Sequence, residues 1–447
     1  NEESIMSQMK PWKRFVVLLS VLGIGGYFGG SEVVAWQFPD VSRATGFSQA
    51  PGAGPVVNVD RSQAARKLDA DLEPFVLAAM SDDTQKAEAA TQELRRRGRR
   101  ALEYVLSRTE PDALPRWKTL ADAVAAQRDS HFSRLYWHTD LAAAQEVAKR
   151  ENKPILSLRL LGKLTDELSC ANSRFFRTTL YPHGAVRSVL AERFVLHWQS
   201  VRTVPIITID FGDGRSIKRT ITGNSLHLVL DAQGRTVDVL PGLYGAGFFA
   251  RVIRQAEPLA KRAANLDDDQ FSRELAKFHQ QQLSNQETRW SEDWKQLGAE
   301  SVPNLGNELD DAAWAKLAQH YQREVALDGA TVAAVRSKRA ADVAGRLAMS
   351  KSGTEIGPMR LIQNLIPLIG QDSVKNEYNM HYKIHQWLAQ GGVPERDVLV
   401  GRIYDELFLS PLNDPWYGLS KPDVYSAVEN DGRQNVVTTT QNTGHRR

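Results

Sequence analysis

The sequence predicts an α/β middle region flanked by mostly helical stretches, and three observations carry that expectation. From Leu141 to Trp198 the apolar spacing switches between helical and strand-like periods. Two hairpin signals follow, Gly212-Asp213-Gly214 and Asp231-Ala232-Gln233-Gly234, each set between alternating apolar runs. The stretches Ala64 to Ala126 and Ala260 onward have helical spacing. With 447 residues the chain exceeds one ordinary core, so several domains are expected.

Within the middle region, Leu141 to Arg150 reads as a helix, Asn152-Lys153-Pro154 as a turn and Ile155 to Leu161 as a buried strand. A helix from about Cys170 to Glu192 and a strand from Phe194 to Trp198 complete a βαβ half. Ile206 to Phe211 and Ile217 to Ile221 form an inserted hairpin. Leu226 to Leu230 and Thr236 to Leu240 form a second hairpin, and Gly245 to Leu259 a closing helix. Parallel and antiparallel halves then share one sheet with helices on its faces.

The helical flanks are less regular. Leu68, Leu72, Val76 and Leu77 precede a helix from Thr84 to Leu94, and Ala90 to Leu106 resembles one helical hairpin of a HEAT-type repeat. The run Arg95, Arg96, Arg97, Arg99 and Arg100 reads as a solvated helix end, with an anionic surface as the alternative partner. Later, Phe271 to Trp294 is a long amphipathic helix and Leu309 to Leu347 holds two more. Gly353 to Gly370 is expected to break at Pro358 and Pro367, and Asn376 to Gln390 is a further helix. Tyr404 to Pro422, rich in aromatic residues and proline, reads as an extended strap in which Trp416 and Tyr417 could line a groove. Residues 432–447 are polar and are expected to form a disordered tail.

At the amino end, Lys10, Lys13 and Arg14 precede an apolar run from Phe15 to Phe28. A basic flank before a short apolar run is the pattern of a signal peptide or signal anchor, so residues 1–36 are expected to export the chain. Asn1 to Gln8 read as a short upstream extension, and 37–62, with Pro39, Pro51 and Pro55, as a linker. The expected location is the periplasmic side of the inner membrane, with membrane attachment if the segment is kept. With 56 basic and 53 acidic residues the formal charge is +3, which gives no case for nucleic acid.

The pieces Trp137-His138-Thr139-Asp140-Leu141, Ala144 with Ala148, and Lys153-Pro154-Ile155-Leu156 resemble the opening of exported thioredoxin-like proteins. Ala191-Glu192-Arg193-Phe194-Val195, the Leu228 to Gly234 turn and Leu240-Pro241-Gly242-Leu243-Tyr244 continue the resemblance in order. It implies an α/β thioredoxin-like domain over 131–262, flanked by mostly α-helical N- and C-terminal regions at 63–130 and 263–431. In that family the reactive cysteine follows the first buried strand at a helix start, where Cys170 stands. Helix N–H groups favour a thiolate there, and Arg174 one turn along would add positive charge. The motif reads Cys170-Ala171-Asn172-Ser173, with Ser173 where the resolving cysteine would be, and Asn224, Ser225 and Leu226 stand where a cis proline is usual.

Because the chain has one cysteine, no intramolecular disulfide and no cysteine-rich zinc site is possible. The resemblance therefore implies mixed disulfides between Cys170 and the thiols of unidentified envelope partners, with Cys170, Ser173 and Arg174 as the candidate catalytic set. The alternative is a non-catalytic scaffold or binding protein of the envelope, with a buried Cys170. No organic cofactor is expected. A metal ion is a possible ligand at Glu377, His381 and His385, which fall four residues apart on one helical face.

Overall fold

The computed structural model describes residues 71–108, 115–221, 223–306, 309–343, 356–417, 419 and 427–432. The expected export segment, the linker and the polar tail beyond Gly432 lie outside the described residues. Two compact units divide the chain, 1–393 and 394–447.

Among the described residues of the first unit, four helices come first: α1 (Glu73–Ala79), α2 (Thr84–Arg96), α3 (Arg99–Ser107) and α4 (Pro115–Ala125). Leu72, Val76, Leu94, Leu102, Val105 and Val124 bury into one core between them. The Asp83 carboxylate caps α2 by accepting from Lys86 N–H. At the tight α2–α3 junction Gly98 takes φ 66°, a conformation that glycine adopts without strain. The arginine run is largely paired as a helix end should be. Arg96 and Arg97 meet Glu93, Arg99 meets Glu103 and Arg100 meets Asp71, while Arg95 donates to the carbonyls of Ala123, Val124 and Trp137.

After a single-turn helix, α5 (Ser130–Ser133), the α/β region runs in the expected order: α6 (Leu141–Glu151), β1 (Ile155–Leu161), α7 (Ala171–Phe175), α8 (Gly184–Arg193) and β2 (Val195–Arg202). Then come β3 (Ile206–Asp210), β4 (Ser216–Thr220), β5 (Ser225–Leu230), β6 (Thr236–Pro241) and α9 (Ala246–Ala263). The sheet order is β2-β1-β5-β6. β1 pairs parallel with β2 and antiparallel with β5, and β5 pairs antiparallel with β6. All residues of β1, β5 and β6 are buried, because helices cover both faces. β3 and β4 form a separate two-stranded sheet, the inserted hairpin.

One expected element is subdivided. The single helix over Cys170 to Glu192 is instead α7, a π-helical turn at Phe176–Leu180, and α8. Pro182 lies in the gap before α8, and its missing N–H and the clash of its ring with the carbonyl four residues earlier oppose helix continuation there.

Beyond the sheet, α10 (Asp268–Gln296) is 29 residues long and starts with a capping box between Asp267 and Gln270. α11 (Asp311–Ala318), α12 (Gln322–Val325) and α13 (Gly329–Val343) follow. α14 (Ile356–Lys375) corrects an expectation, because it runs on through Pro367. Pro358 lies near the start of the described span, and Pro367 removes one bond that the long helix tolerates. A π-helical segment, Asn376–His381, then leads into α15 (Tyr382–Leu388). Gly247 in α9 allows this layer to approach closely: a Cβ there would stand 2.6 Å from Glu324 Cα.

In the second unit, α16 (Arg396–Arg402) is capped by the Glu395 carboxylate and passes into a π-helical turn, Ile403–Leu407. The aromatic segment after it winds through turns rather than extending as a strap. Asp414 accepts from Trp416 N–H through its carboxylate and from Tyr417 N–H through its carbonyl. Pro422 lies outside the described residues. Among the described residues no helix is long and apolar enough to cross a membrane.

Candidate functional site

Two buried polar centres stand on the sheet. The first lies where β1 ends. Cys170 N–H donates to Leu161 O, and Cys170 is the N-cap of α7, its Sγ accepting from Ser173 N–H at 3.4 Å. Ser173 Oγ returns a hydrogen bond to Cys170 O at 2.9 Å. The sequence thus places Cys170 and Ser173 in contact, but both are 0% exposed. Arg174 does not turn its guanidinium to the thiol alone; it donates to Ser169 O and to Thr220 Oγ1 at the end of the inserted hairpin. Gly223 lies against the start of α7, where a Cβ would stand 3.3 Å from Ala171 Cβ and from Asn172 Oδ1.

Tyr181 Oη and His227 Nε2, 2.8 Å apart, belong to the same interior. Burial holds His227 neutral, pushing it down to about 3, and raises the Tyr181 phenol, with Cys170 adding to the rise. Neither group is an accessible base for thiol chemistry. Below them Arg177, 1% exposed, pairs with Asp129 at 3.0 Å, and Lys338 reaches the same carboxylate at 2.8 Å.

The second centre lies against β6. Asp238 Oδ1 accepts from His381 Nε2 at 2.9 Å, and His381 Nδ1 stands 3.6 Å from Glu377 Oε2. Arg251 and Arg289 both hold Glu377 Oε1, at 3.2 and 2.8 Å. The His385 and His279 Nδ1 atoms are 2.8 Å apart, and His279 Nε2–H donates to Val237 O at 3.0 Å. Asp238, His279, Glu377, His381 and His385 are each no more than 2% exposed. The sequence-derived set Glu377, His381 and His385 is therefore brought together, although each member already has a polar neighbour. Sequence reasoning missed Asp238 and His279. The signals were an acid inside an otherwise apolar strand and a histidine on the stripe Phe271, Leu275, His279.

Electrostatics divides this centre into charged and neutral parts. Burial opposes a charge on His381, but Asp238 and then Glu377 outweigh it and raise the imidazole to about 9. Burial likewise opposes the Asp238 and Glu377 carboxylates, yet His381 holds the first, and Arg251 with His381 and Arg289 the second, well below the usual range. Burial keeps His279 neutral at about 4 and lowers His385 well below its ordinary value, with the His381 charge acting the same way. An imidazolium between two carboxylates thus stands beside two neutral imidazoles.

A third feature is an open groove of about 670 Å³ between the helical segment and the α/β region, lined by the Arg95–Arg100 stretch together with Arg134, His138, Arg150 and Lys153. Burial, with Arg95 acting in the same direction, lowers His138 to about 4 and leaves it neutral. No protein-family model, curated protein or solved structure matches the chain.

Proposed function

We propose that the chain is a cell-envelope protein with a thioredoxin-like domain that binds a partner and does not exchange disulfides. The observation that carries this reading is the complete burial of Cys170, whose sulfur is engaged by Ser173 N–H. Thiol exchange needs in-line approach of a second sulfur to a thiolate, and a sealed sulfur offers no such path. The thioredoxin-like part of the reading is supported by the sheet order, with one parallel and two antiparallel pairings, and by Cys170 capping the first helix after β1. The envelope location rests on Lys10, Lys13 and Arg14 ahead of the Phe15 to Phe28 run.

The groove is the contact surface this reading favours. Arg134 and Arg99 are exposed cations on its wall, and a partner segment carrying Asp and Glu would complement them. Intact-mass analysis after incubating the folded chain with glutathione disulfide tests the thiol part. No adduct is expected, and stoichiometric glutathionylation would return the mixed-disulfide reading through Cys170. Fluorescence anisotropy with a labelled polyglutamate peptide tests the groove. Salt-sensitive binding that weakens at least tenfold in Arg134→Glu supports it, and binding unchanged by that substitution removes it.

A further inference from the structure

We propose that Asp238, His279 and His385 form a binding site for a divalent first-row transition metal, zinc above all, which ties the C-terminal helices to the edge strand of the sheet. The three residues come from β6, α10 and α15, and their ligand atoms lie within 4.8 Å of one another, all buried. Two imidazoles and a carboxylate are the donor set that zinc accepts with a fourth position left over.

The distances are close to those that coordination demands. Donors about 2.1 Å from a tetrahedral ion stand roughly 3.4 Å from each other. Here the two Nδ1 atoms are 2.8 Å apart and His385 Nδ1 is 4.0 Å from Asp238 Oδ1. Of these two separations one must open and the other close, each by well under 1 Å, and the Asp238–His279 separation lies within 4.8 Å; rotation about side-chain torsions supplies such adjustments. When the metal binds, the proton between the two Nδ1 atoms passes to His385 Nε2, so both rings stay neutral and present lone pairs.

The surroundings are those of a supported metal site. His279 Nε2–H donates to Val237 O, which fixes its tautomer and points the Nδ1 lone pair inward. His381 donates to Asp238 Oδ1, the same oxygen that faces His385, Glu377 backs His381, and two arginines fix Glu377. Ligating carboxylates are commonly held by such outer hydrogen bonds, which orient them toward the ion. The set differs from the one the sequence offered: Glu377 is occupied by arginines, and His381 acts as a positioning residue for Asp238. β6 is an edge strand, and a metal here would lock its covering helices in place, a structural role independent of Cys170 and of the groove.

The test uses the full, untagged chain purified without chelator. Elemental analysis should find about one equivalent of zinc per chain. Refolding with Co²⁺ in its place should give the visible absorption bands of a tetrahedral nitrogen and oxygen site. Asp238→Asn and His385→Gln should each lower metal content at least tenfold. If those variants do not fold, the Co²⁺ spectrum of the unaltered chain decides alone. A content under a tenth of an equivalent with no cobalt bands, or metal retained equally in both folded variants, overturns the proposal.

Discussion

The two buried centres of the sheet are built on opposite plans. The Cys170 end is sparse: one sulfur accepts one backbone N–H, beside a neutral histidine and a phenol. The Asp238 end is dense in charge, with two carboxylates, one imidazolium and two guanidinium groups in contact. Position in a fold is therefore a poor guide to where polar chemistry accumulates. The cysteine at the first helix start after β1 is sealed, while the edge strand carries a network that no short motif announces.

Breaking the dense centre should cost most. Glu377→Ala leaves Arg251 and Arg289 facing each other without their shared carboxylate, a loss of about 3–5 kcal/mol in urea unfolding. Gly247→Ala, where α9 meets Glu324, forces a methyl against the Glu324 backbone and should cost about 1–3 kcal/mol by the same measurement. At the sparse end, Tyr181→Phe removes one neutral hydrogen bond to His227 and should cost only about 1 kcal/mol. A cost at Tyr181 equal to that at Glu377 would erase the contrast.

The remaining expected effect is pH-dependent and is set at the half-buried Asp372. Burial raises the Asp372 carboxyl from 3.8 to about 7, and Lys375 only partly offsets it. Between those values the folded state holds a proton that the unfolded state has released, so stability contributed by this group is full below 3.8 and lost as pH rises through 7. Asp372→Asn should therefore raise Tm by about 2 °C at pH 8.5 and leave it unchanged at pH 3.5, by scanning calorimetry.

Much of the framework was legible because it is periodic. The all-buried strand Ile155–Leu161, the turn at Asp231 to Gly234 and the inserted hairpin around Gly212 were each readable from alternation and turn residues. The split at Pro182 was missed because helical spacing continues on both sides of it. The run through Pro367 was missed because the layer around a helix decides whether it tolerates a lost bond. At the dense centre, helix spacing revealed Glu377, His381 and His385. It could not reveal His279, which meets His385 across 106 residues, or Asp238, which meets His381 across 143. Contacts of that span are made by topology and leave no local pattern. Burial of Cys170 was equally invisible, since a helix start after a strand looks the same in sequence whether it opens to solvent or is covered.

The central claim is that Cys170 is a sealed structural residue, and alkylation of the full chain across a urea series tests it most directly. Labelling without urea should be at least about 10³-fold slower than in the unfolded chain and should rise along the global unfolding curve. Labelling of the folded protein within tenfold of the unfolded rate would contradict it and make Cys170 an accessible thiol.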